Sequence, residues 1–161
     1  MAAMLPAPDL LRKQLAASLA FKEAHAAFDR AVEGMPFEQQ GVVAAGFDHS
    51  AWQLLEHIRL AQADILDFCV NAHYEEKPWP EAYWPHDPAP PDARAWERSV
   101  AACRADRAEM QALARNPGID LFGRIPHGSG QTYIREILLV VDHGSYHVGQ
   151  LVALRKALGA W

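Results

Sequence analysis

The 161-residue sequence is poor in cysteine: only Cys69 and Cys103 occur, far apart and in no CxxC pair. They make no zinc-type spacing with the histidines either, which excludes a cysteine-built metal site. Both are expected to be buried, reduced packing residues, a mutual disulfide being the alternative. Long apolar runs are also missing. No stretch approaches the roughly 18 uninterrupted apolar residues of a membrane span, so no membrane association is expected. The opening residues MAAMLPAPDLLRKQ lack the basic stretch, apolar core and small-residue cleavage site of a secretory signal, which points to the cytoplasm. A basic stripe is absent too. Fifteen Lys and Arg are scattered among twenty Asp and Glu, for a net charge of −5, and this argues against nucleic acid as a partner.

Half of the residues are hydrophobic, enough for one domain over residues 1–161 to bury a core without disulfides. Apolar residues recur at steps of three and four in four segments, separated by Gly and Pro. The first predicted helix runs from about Asp9, a possible N-cap, to Glu33, with Gly34 as its stop and Leu11, Leu15, Phe21 and Phe28 as apolar surface. The second starts near Asp48 or Ser50, where Ser50 and Gln53 match a capping box, and continues to about Ala72 along Leu54, Ile58, Ala61, Ile65, Phe68 and Ala72. The third spans Asp92 to Asn116, with Trp96, Val100, Cys103, Met110 and Leu113 on its apolar side. The fourth spans Gln131 to Leu158, stopped by Gly159, along a seam of Tyr133, Ile137, Val140, Gly144, His147, Leu151, Leu154 and Leu158. Two of the three connections are long. The first, KPWPEAYWPHDPAPPD, holds six of the eleven prolines and cannot be helical; its Trp79, Tyr83 and Trp84 are suited to covering one end of the helices. The expected fold is all-α, a four-helix bundle with long crossover connections.

The segment DHGSYHVGQ, Asp142 to Gln150, carries the chemistry. His143 and His147 stand one helical turn apart, a spacing that lets two imidazoles reach one ion. The same spacing also occurs as two solvated imidazoles on an exposed helix. His147 falls within the apolar seam, however, and an inward imidazole needs a hydrogen-bond partner or a metal. Gly144 and Gly149 each cost roughly 1 kcal/mol in a helix interior, which suggests close approach by a neighbour. A third ligand would come from another helix, and His57, beside the seam of the second, is the candidate, a hydrogen-bonded core histidine being the alternative. Glu136 and Gln150, seven residues before and after His143, share its face and could orient a ligand; Glu136 could also serve as a general base or be a solvated carboxylate. His25 could line the same cavity or sit at the surface. Asp142 and Tyr146 suit packing or capping, and no catalytic role is expected of His49, His73, His86 or His127.

HSAWQLLEHIRLAQADILDF, the YWP linker and DHGSYHVGQLVALRKALG resemble the DinB-like superfamily of bacterial four-helix-bundle proteins over nearly the whole chain, most specifically in HxxYHxGQ. The resemblance implies a metal held by one histidine of the second helix and two of the fourth, here His57, His143 and His147; three imidazoles suit a divalent ion, zinc or nickel first, with iron or manganese also tolerated. It also implies a thiol-dependent transferase or isomerase using a low-molecular-weight thiol and a small electrophile; hydrolysis by a metal-bound hydroxide is the option the same metal chemistry leaves open. Non-catalytic metal or stress-ligand binding is the alternative, and a homodimer is the expected assembly.

Overall fold

Residues 7–161, described by a computed structural model, form α1 (Ala7–Ser18), α2 (Phe28–Val32), α3 (Phe37–Gln40), α4 (Ala51–Val70), α5 (Ala95–Arg115) and α6 (Tyr133–Ala157). A 3-10 turn lies at Glu81–Tyr83. The first six residues of the expected domain are outside the described residues. Among these, β-pairing is confined to a single bridge between Arg124 and Thr132, so the all-helical class stands.

Among the described residues six helices replace the four expected, because the first segment is divided into α1 and α2 and the link after it forms the short α3. The helix of Asp9–Glu33 ends at Ser18, and the amides of Ala20 and Phe21 bond Ala17 and Ser18 in a tightened final turn. Phe21 then takes φ 50°, in the left-handed region, and the chain resumes as a helix only at Phe28. Both phenylalanines are buried. Placing two rings in the core from a bent chain outweighs the hydrogen bonds that a continuous helix would add.

The other segments follow their patterns closely. Ser50 Oγ accepts from the Gln53 amide, and Gln53 Oε1 accepts in return from the Ser50 amide, at 3.1 Å each, which completes the capping box. In α4, Leu54, Ile58 and Ala61 are buried, Ile65 and Phe68 half-buried, and Ala72 lies exposed beyond the helix end. Every apolar residue expected on the third segment, Trp96, Val100, Cys103, Met110 and Leu113, is buried in α5. α6 ends as a Schellman motif: Gly159, at φ 70°, donates to Lys156 and Ala160 donates to Arg155.

α4 packs most extensively on α5 and α6, while α1 packs chiefly on α5. Arg12 of α1 donates to the carbonyls of Ala114, Asn116 and Ile119, closing the end of α5. Arg155, buried, donates to Arg30, Ala31, Glu33 and Ala160 and ties α2 to the end of the chain. α6 is long and apolar enough to cross a bilayer, yet it buries Glu136, His147 and Arg155 against the other helices, as a core helix does.

Candidate metal centre

The packing of α4 against α6 brings His57 to His143 and His147. Two turns inside the capped start of α4, His57 is 2 % exposed; His147 is 7 % exposed within the α6 seam, and His143 is half-buried beside it. The three rings form a near-equilateral triangle, with centroids 4.7 Å apart for His57 and His143 and 4.5 Å for each of the other pairs. One nitrogen of each lies within 4.8 Å of the other two.

Neighbouring groups decide which nitrogens face inward. His57 Nδ1–H donates to the Tyr83 carbonyl at 2.9 Å, so its Nε2 presents a lone pair toward the other rings. His147 Nδ1–H donates to Gln150 Oε1 at 2.7 Å, and the Gln150 amide donates in turn to the Tyr146 hydroxyl at 3.2 Å. His143 Nε2 lies 2.9 Å from His57 Nε2 and must be the donor of that pair. Burial, together with the repulsion each ring would feel from a charged neighbour, pushes His143 down to about 3 and His147 to about 4. For His57, burial outweighs the opposing pull of the Tyr83 carbonyl and lowers it as well. At neutral pH all three are uncharged donors. Neutral imidazoles, two of them with their outer nitrogens engaged, suit a divalent cation, and this triad could hold one once the inward proton of His143 moves to its other nitrogen.

Aromatic residues of the connection after α4 close one side. Trp84 stacks on His57 at 3.8 Å and 7° and on His49 at 3.9 Å and 19°, so its indole lies between the two imidazoles. Trp79 sits further out, 6.2 Å from His57. Trp84 covers one side of the triad. His49, assigned no role from sequence, thus reaches the centre through Trp84. Nothing in its local sequence signals this, because the loop conformation creates the stack.

Gln150 falls where its helical angle places it, on a ligand's outer nitrogen. Glu136 does not join the triad: it is buried and takes a hydrogen-bonded ion pair from Arg135 at 2.6 Å. Two turns of α6, about 10 Å of rise, separate it from His143. His25 stands in the irregular link between α1 and α2, not inside a helix; it is exposed, with Nε2 3.2 Å from Ser145 Oγ. Asp142 and Tyr146 are exposed, though Tyr146 also sets its ring edge-on to His147 at 4.8 Å. His73 and His86 are exposed, and His127 pairs with the Phe68 carbonyl. Of the two glycines, only Gly144 meets a close neighbour: a Cβ there would stand 2.6 Å from Phe21 Cζ, whereas at Gly149 it would meet nothing within 4 Å. Cys69 and Cys103 are free and buried, and burial pushes both thiols up to about 12.

Comparison with curated proteins and with solved structures found no match. A sequence profile of the DinB superfamily matches residues 20–151, well over half of the chain and a span that includes all three histidines. The helical architecture agrees with that match, and the chain belongs to the DinB superfamily.

Proposed function

We propose that the protein is a metal-dependent enzyme built as a four-helix bundle, with one zinc or nickel ion on His57, His143 and His147, that joins a low-molecular-weight thiol to a small electrophile. The convergence of three uncharged imidazoles, two with their outer N–H already donated, carries this reading. Three histidines are the donor set of catalytic sites that keep one position for water or substrate, and the bound cation supplies a lowered pKa to whatever thiol or water occupies it. The chain itself offers no thiolate. Burial keeps Cys69 and Cys103 protonated, so the sulfur comes from a co-substrate. In the transfer a sulfur–carbon bond forms, the leaving group departs with its bonding pair, and the thiol proton is released. The Tyr83 carbonyl and Gln150 hold two of the rings in register, and Trp84 keeps water from one face of His57.

Metal analysis of protein purified without a histidine tag tests the centre. One ion per chain is expected, lost on His147→Ala with the helical signal retained. Failure to bind metal after supplementation, or unchanged metal content in the variant, would reject the site. Anaerobic incubation with a panel of bacterial thiols and electrophiles, read by mass spectrometry, tests the reaction. A metal-dependent thioether adduct is expected, and its absence across the panel would reject thiol transfer.

A further inference from the structure

A separate cleft of about 710 Å³ opens between α4, α6 and the connection after α4, and none of the three histidines lines it. We propose that this cleft binds a small organic cation, an ammonium group on an apolar body, with Asp64 as counter-ion and the rings of Phe68, Tyr74, Trp79 and Tyr83 as walls.

Asp64 is the unusual group. It is 7 % exposed on α4, a position at which an isolated carboxylate is costly. Its Oδ2 accepts from the hydroxyls of Tyr83 at 2.8 Å and Tyr74 at 3.1 Å. Its Oδ1 is buried and accepts no hydrogen bond; the ammonium of Lys77 lies 3.1 Å away as its ion-pair partner. Lys77 reaches in from an irregular connection on a side chain that is 47 % exposed. The cation beside Oδ1 is thus a flexible rim side chain, one that an incoming ammonium can replace.

The walls match such a guest. Phe68 and Tyr74 stand edge to face with centroids 5.1 Å apart, and Trp79 and Tyr83 are 5.2 Å apart. Aromatic faces beside a carboxylate attract ammonium groups through the ring quadrupole. Three carboxylates, Asp64, Glu76 and Glu136, line the cleft against two cations, Lys77 and Arg135. Both cations are already paired, Arg135 with Glu136 at 2.6 Å, so an anionic guest would find no free counter-charge among them.

The inference is independent of the metal-centre reading, and the probe keeps it so. Benzyltrimethylammonium has no lone pair on nitrogen and cannot ligate a metal. Titration calorimetry of the full chain is expected to show it binding at least about 10-fold more tightly than benzyl alcohol or benzoate. Asp64→Asn should abolish that preference. Trp79→Ala, at a position 66 % exposed and therefore safe for the fold, should weaken the cation about 5-fold. Lys77→Met should tighten it about 3-fold by removing the competing ammonium. Absence of cation binding, equal or tighter benzoate binding, or weaker cation binding in Lys77→Met would each overturn the proposal. Should Asp64→Asn fail to fold, the Trp79 and Lys77 variants decide the matter.

Discussion

Two glycines of α6, five residues apart, should respond to the same substitution with opposite signs. Glycine inside a helix is less favourable than alanine by about 1 kcal/mol, so Gly149→Ala, whose new methyl meets nothing, should stabilise the protein by about that amount. At Gly144 the same gain is set against overlap. The added Cβ would stand 2.6 Å from Phe21 Cζ and 3.0 Å from each Cε. The phenyl ring is 2 % exposed, with the Arg107 guanidinium 5.8 Å from its centroid, and has little room to withdraw. Overpacking of this kind costs about 1–3 kcal/mol, which leaves Gly144→Ala destabilised by about 1 kcal/mol net. Urea denaturation followed by circular dichroism reads both changes as free energies, and in thermal unfolding each kcal/mol should appear as a Tm shift of about 2–4 °C. The interaction is isolated by repeating Gly144→Ala in a Phe21→Ala background, where the obstacle is gone and the substitution should become stabilising. A coupling of about 2 kcal/mol is expected between the two sites. Stabilisation by Gly144→Ala in the wild-type background, or strict additivity with Phe21→Ala, would refute the reasoning.

Gln150→Leu removes the acceptor of His147 Nδ1–H and should weaken metal affinity about 10- to 100-fold while leaving helicity intact, measured by competition with a chelator. In metal-free protein, stability should fall as the pH drops from about 6.5 toward 4. Over that window the unfolded histidines are protonated. His143, at about 3, and His147, at about 4, are not, so the unfolded state binds more protons and is favoured. Urea midpoints measured from pH 7.5 to 5 should show this slope, and His147→Gln should flatten it; an equal slope in that variant would show that other groups are responsible.

Much of the architecture was legible because local chemistry and tertiary packing agree. The Ser50 and Gln53 box, the α5 seam and the Gly159 stop each demand the same backbone that the core demands. The break after Ser18 was hidden for the opposite reason. Phe21 and Phe28 are seven residues apart, a helical spacing, and the intervening KEAHAA contains neither Gly nor Pro to announce a bend. Within the site, His143 and His147 were visible through their spacing, and His57 through its seam. The Tyr83 carbonyl was not, since a backbone acceptor leaves no mark in sequence. Asp64 could have been found: it follows His57 by seven residues, on the same face of α4, where a carboxylate between apolar neighbours needs a partner.

Tyr83 serves two places at once. Its carbonyl fixes the outer nitrogen of His57, and its hydroxyl bonds Asp64 in the adjoining cleft. A guest that pulled the phenol would act on the same residue that steadies a histidine, and a metal on the triad would act on it from the other side. Free energies of binding are linked reciprocally: whatever factor a cleft ligand applies to metal affinity, the metal must apply to the ligand. If both sites are filled, one residue of a 3-10 turn would place them in a single thermodynamic cycle.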